Sequence, residues 1–136
     1  MSSQIDQICK DAVAQIAPDL EEGLRGNSKL GFHIAILSAT TEHIIFEQGF
    51  GKKYTGGGGC YRTIALQKAE VVMKEKRSLS DLVDDGEHTE MHNGGFIDGD
   101  IVVAVAGAGH LGNVSYGRQV LRHLLQHLPD LKALAA

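Results

Sequence analysis

The chain has 136 residues, 43% hydrophobic and 22% charged, the balance of a globular protein that buries one core, and it is read as one domain spanning 1–136. A net charge of −4, no Trp and an aromatic content of only 5% speak against a nucleic-acid surface, which needs cationic stripes and stacking rings. No stretch has the length of a membrane span, the N-terminus lacks the basic and apolar regions of a secretory signal, and Cys9 and Cys60 read as free thiols, so a cytoplasmic location with no membrane partner is expected.

Ile5, Ile8, Cys9, Ala12, Val13 and Ile16 recur at the spacing of one helix face, with Ser3 as a cap and Pro18 ending the pattern. Pro18 to Ser28 reads as a short helical turn and a loop. Leu30 to Ala39 is β-like, and His43-Ile44-Ile45-Phe46-Glu47, after Thr40-Thr41-Glu42, suggests the return strand of a hairpin. A glycine-dense connection, Gly49 to Gly59, leads into a helix from Tyr61 to about Arg77 that turns Ile64, Ala65, Ala69, Val72 and Met73 to one side. Lys52-Lys53 and Lys74, Lys76 and Arg77 read as solvated loop and helix ends. A further helical turn follows over Ser78 to Asp85, capped by Ser78 or Ser80, and then a polar loop from Gly86 to His92.

The stretch from Met91 to Gly109 combines a glycine pair, Gly94-Gly95, a tight turn at Asp98-Gly99, an apolar strand from Ile101 and a second glycine loop at Gly107 and Gly109. Asp-Gly suits a turn that needs positive φ, and glycines on either side of the hairpin let another group approach the backbone. The stretch therefore reads as a binding wall, with plain turn-making as the alternative for any one glycine. The last helix is expected from near Val114, with Val120, Leu121, Leu124, Leu125 and Leu128 on its apolar face and Pro129 stopping it. This order of elements favours an α+β fold, an antiparallel sheet with helices packed on it.

His88-Thr89-Glu90-Met91-His92 sets two imidazoles four apart around a carboxylate, making His88 and His92 candidate ligands for a divalent metal, and His92 and His110 candidates beside the glycine wall. Gly56 to Gly59, leading into Cys60-Tyr61-Arg62 at a helix start, form a candidate anion site of Gly58, Gly59, Cys60 and Arg62. His33 lies within the first strand and reads as a structural histidine, whereas His123 and His127 fall beside the leucine face, solvated or at a subunit contact. No Ser-His-Asp order, carboxylate pair or Cys-x-x-Cys motif stands out, so enzymatic activity is left open.

Three segments resemble, in order, the haem-binding and haem-degrading family that includes GlcG, HbpS and the C-terminal domain of PduO. Ala65-Leu66-Gln67-Lys68-Ala69 is similar to its Ala-x-x-Lys-Ala segment, Gly94-Gly95-Phe96-Ile97-Asp98-Gly99-Asp100-Ile101-Val102 to its glycine-pair hairpin, and Ala104-Val105-Ala106-Gly107-Ala108-Gly109 to its strand ending. Ile34-Ala35-Ile36-Leu37 is similar to its first core strand. The chain departs from the pattern in lacking the proline after the glycine pair, in Ser38 where Asp is common, in Ala108 where Ser is common, and in having no Asp at the start of the last helix.

The resemblance implies a profilin-like fold with a central antiparallel sheet flanked by helices on both sides, and a homo-oligomer. It also implies a small-molecule ligand, haem or a related tetrapyrrole, with weak degradation of it as a further possibility. The binding residues would be His92 as axial ligand, Gly94, Gly95, Gly107, Gly109 and His110 as pocket wall, and cationic or N–H donors for the propionates. Two other readings stay open: a cofactor-free assembly or regulatory module or carboxylate-metabolite sensor using Gly58 to Arg62, and a metal enzyme using His88, Glu90 and His92.

Overall fold

The computed structural model describes residues 2–16, 18, 31–51, 61–84, 86, 94–107 and 109–127. In chain order they form α1 (Ser2–Ala14), β1 (Gly31–Ser38), β2 (Ile44–Gly51), α2 (Tyr61–Glu75), α3 (Leu79–Asp84), β3 (Gly95–Asp98), β4 (Ile101–Ala106) and α4 (Gly109–Gln126). The strands make a four-stranded antiparallel sheet in the order β2-β1-β4-β3, so the first and last long apolar runs become the two central strands. Both are covered on both faces: β1 is buried from Phe32 to Ser38 and β4 throughout. That explains why they read as unbroken apolar stretches and not as alternating ones.

Strand alternation sends the two sets of side chains to different helices. Phe32, Ile34, Ile36, Ile101, Val103 and Val105 meet Cys9, Ala12 and Val13 of α1 and Val120 and Leu124 of α4. Ala35, Leu37, Val102, Ala104 and Ala106 meet Ala65, Ala69 and Val72 of α2 and Leu79 and Leu82 of α3. Small residues on this second face let α2 lie close to the strands. At Gly95 a Cβ would stand 2.8 Å from Val72 Cγ2.

Several boundaries differ from the sequence expectation. α1 begins at Ser2, so Ser3 is inside the helix and not its cap. β2 runs on through Gly49 to Gly51, because cross-strand pairing with β1 as far as Gly31 holds glycines that intrinsic preference assigns to a loop. α2 stops at Glu75, where Lys76 takes φ 57 and donates its N–H to the Val72 carbonyl, 2.9 Å, closing the last turn. Ser78 accepts the first backbone bonds of α3, from Asp81 and Leu82, as a capping residue does. α4 starts five residues before Val114, which places His110 in the first turn of a helix and not in a loop. The β3–β4 turn is formed by Gly99-Asp100, one residue later than Asp98-Gly99, with Gly99 at φ 59 in the first loop position.

The sheet has two unlike ends. At one, Asp100 ties the two hairpins together: its carboxylate accepts from Ser38 Oγ at 2.8 Å and from the Thr40 N–H at 2.6 Å. At the other lie Gly31, Gly49 and Gly51, the start of β3, the Ala106-Gly107 exit of β4 and the N-termini of α2 and α4. Gly51, Tyr61 and Gly94, which border segments 52–60 and 87–93, also belong to this glycine-rich end.

Candidate functional site

Within the glycine-rich end, register fixes which side chains can meet. His33 on β1 stands opposite Gly49 on β2 and Ala106 on β4, and Ala35 stands opposite Glu47. His33 and Glu47 are therefore diagonal neighbours on the α2 face of the sheet, within reach of each other's long side chains. The His33 Nε2 lies 2.9 Å from Glu47 Oε1, and Arg62, in the first turn of α2, grips the same carboxylate with Nε on Oε1 at 2.6 Å and Nη2 on Oε2 at 3.0 Å. His33 is buried, Glu47 half-buried and Arg62 exposed, so the cluster runs from the interior to solvent.

The charges in this cluster are fixed by their neighbours. The Arg62 contact, aided by His33, holds the Glu47 carboxyl below its ordinary 4.5, so it is an anion that only accepts. Burial pushes the His33 imidazole below 6.5 and outweighs the pull of Glu47 toward the charged form. A neutral ring beside an acceptor must carry its proton on Nε2, which donates to Glu47 and leaves the Nδ1 lone pair available. Among the described residues, the hydrogen bond of the His33 ring is the one from Nε2 to Glu47. Nδ1 lies beside Gly49, where a Cβ would stand 3.5 Å away, at ordinary contact distance.

The glycines expected to form a wall divide by role. Gly94 and Gly107 have φ of 129 and 104, backbone positions that L side chains rarely adopt, and Gly107 borders the His33 row through Ala106. Gly95 is not open to a ligand: the space a side chain would take is filled by Val72 and Leu79 of the chain itself. The close approach at the glycine pair is thus helix on strand. Gly109 and His110 enter α4 directly after this end.

Beside the pair, Lys68 is 1% exposed and donates from Nζ to the Val105 carbonyl at 2.9 Å. Burial pushes its ammonium down to about 8. It falls on the helix face of Ala65, Ala69 and Val72, a place that hydrophobic periodicity gives to an apolar residue.

Of the other residues singled out in the sequence, His88, His92, Gly58, Gly59 and Cys60 lie outside the described residues, as do Glu90 and Leu128. Arg62 does stand at a helix N-terminus, but its guanidinium is committed to Glu47. Gln15, just past α1, donates from Nε2 to His123 Nδ1 at 2.7 Å, and the His123 ring tilts against His127, ring centroids 5.0 Å apart, off the core as expected. Among the described residues no three His, Cys, Asp or Glu side chains gather as a metal site. Glu47 was missed by sequence reasoning. Its signal lay in the hairpin register, which puts position 47 one row from position 33 on the same face.

No family model matches the chain, and no curated protein matches it. Among solved structures the chain is similar to that of a PduOC:heme complex, at 15% sequence identity over 86% of this chain and 89% of that one, with a TM-score of 0.56. At that identity the likeness is one of fold, the profilin-like α+β arrangement of an antiparallel sheet between helices. Among the described residues no helix is long and apolar enough to cross a membrane.

Proposed function

We propose that the protein binds haem or a related tetrapyrrole at the glycine-rich end of the sheet. The observation that carries this reading is the presence there of a buried, carboxylate-oriented imidazole opposite a glycine, on a fold similar to that of a protein solved with heme. The residues fit such a group. Imidazole is a good donor to haem iron, and Gly49, opposite His33, puts no side chain of its own beside it. When bound, the iron would supply the redox and oxygen chemistry, while the chain positions the macrocycle and limits water.

Gly94, Gly107, Gly109, His110 and His92 belong to the same reading as pocket residues, as do assembly with further copies of this chain and a cytoplasmic location. Weak degradation of the bound ring is a finer form of it. The competing carboxylate-sensor reading uses Arg62 as its principal cation, and the two-point contact with Glu47 counts against it, since an incoming carboxylate would have to displace one already bound.

Titrating haemin into the purified chain and recording the Soret band tests the proposal. A saturable shift is expected; a band that stays where free haemin absorbs contradicts it.

A further inference from the structure

The end of the sheet away from the glycine cluster has a cleft of its own, about 430 Å³, between the exit of β1, the C-terminus of α2 and the β3–β4 hairpin. Its apolar lining is Ala39, Met73 and Ile97, half-buried residues at the outer margin of the α2-side core. Its charged lining is Lys76 and Asp100. We infer that this cleft binds a small apolar α-amino acid as the zwitterion, with the ammonium group on Asp100, the carboxylate on Lys76 and the side chain against Ala39, Met73 and Ile97. A space of this size lies within the about 300–1,000 Å³ of small-ligand clefts.

Asp100 is prepared to receive a cation. Burial pushes its carboxyl up, but the bonds from Thr40 and Ser38 outweigh that and hold it below its ordinary 3.8, so it is an anion at neutral pH. An ionised carboxylate has about four acceptor positions, and Ser38 Oγ and the Thr40 N–H each take one. Lys76 is exposed and holds φ 57 at the residue after α2, where glycine would carry no strain. The fold gains nothing visible from a lysine there: among the described residues its ammonium has no carboxylate partner. Backbone strain of this kind is a mark of functional positions.

Lys76 and Asp100 thus line one cleft without forming an ion pair with each other. Two unjoined opposite charges beside an apolar patch match the three parts of an apolar amino acid. A simple carboxylate would meet Asp100 with its own sign, and a simple amine would meet Lys76 so; the zwitterion satisfies both. Met73, with its flexible thioether, lets the patch adapt to straight and branched side chains.

The test follows amide chemical shifts of the full chain during titration with L-leucine, L-methionine and L-phenylalanine. The N-acetyl and methyl ester forms of each serve as probes that lack one charge. Saturable shifts at Thr40, Met73, Lys76, Ile97, Gly99 and Asp100 are expected from at least one free amino acid below about 10 mM, with His33 and Glu47 unmoved. Both blocked forms of that amino acid are expected to bind about 10-fold or more weakly. Lys76→Gly, which relieves the backbone, is expected to weaken the free amino acid by a similar factor and to leave its methyl ester unchanged. A merely structural role for Lys76 would not move that difference.

No shifts at these positions with any of the three amino acids overturns the proposal. So does a blocked form that binds as tightly as the free one, or a Lys76→Gly protein that keeps the full affinity. Each of these outcomes leaves the tetrapyrrole reading untouched, because that reading concerns the opposite end of the sheet.

Discussion

Lys68 shows how far a single residue can depart from what its type predicts. Its stem fills a place in the α2 face and its ammonium is spent on the Val105 carbonyl, so truncation leaves both a cavity and an unpaired acceptor. Lys68→Ala should cost about 2–4 kcal/mol in chemical denaturation, against about 0.5 kcal/mol or less for the exposed Lys74→Ala. Because burial lowers the Lys68 ammonium to about 8 from 10.5, the unfolded chain holds that proton to higher pH. Lys68 therefore adds stability as pH climbs through that window. Lys68→Met should remove this rise, seen as a smaller gain, or larger loss, in denaturation midpoint between pH 7.5 and 10 than in the unaltered chain.

His33 acts with the same sign in a lower pH window. Its imidazole resists a proton that the unfolded chain accepts below 6.5, so stability falls as pH drops beneath that value, and Glu47 adds to the loss below 4.5. Replacing His33 with Gln should flatten the decline between pH 7 and 5. Lys68 lay in plain sight within Ala65 to Ala69, but a lysine is read as solvent-facing unless a buried carbonyl is known to await it. The same holds for His33, whose partner Glu47 is fourteen residues away and joined to it only by hairpin register.

Elements were legible where one periodicity dominated. The apolar stripe of α1, the β1–β2 and β3–β4 hairpins and the apolar face of α2 follow from spacing and turn chemistry alone. Their ends did not, because pairing and packing override propensity there. Gly117 is an example: within α4 it costs helix propensity, yet a Cβ would stand 2.8 Å from Phe96 Cδ2, so the ring of β3 occupies the place of a side chain. Gly117→Ala should destabilise the protein by about 1–3 kcal/mol despite alanine's better helix propensity, and Phe96→Leu should relieve part of the clash in the double variant. At the end of α2 the reverse change is expected. Lys76 holds φ 57, a conformation that strains an L residue, and Lys76→Gly should raise stability by about 0.5–1 kcal/mol as read by thermal unfolding.

Across the whole molecule, one sheet serves two cores, with α1 and α4 on one face and α2 and α3 on the other. The sequence could supply the strands but not their order, since β4 inserts beside β1 from more than sixty positions away. That insertion brings Ala106-Gly107 alongside His33 and the start of α2, at the end opposite the two tight turns. The glycine wall was visible as a motif; the histidine, its carboxylate and the glycine opposite it became visible only once the topology had joined them.

The central claim is that this end of the sheet holds a tetrapyrrole. Amide chemical-shift mapping of the full chain with metal-free protoporphyrin IX addresses both the ligand and the place. Shifts are predicted at His33, Glu47, Gly49, Arg62 and Gly107, with Thr40, Gly99 and Asp100 unmoved. No shifts, or shifts confined to the hairpin-turn end, would contradict it.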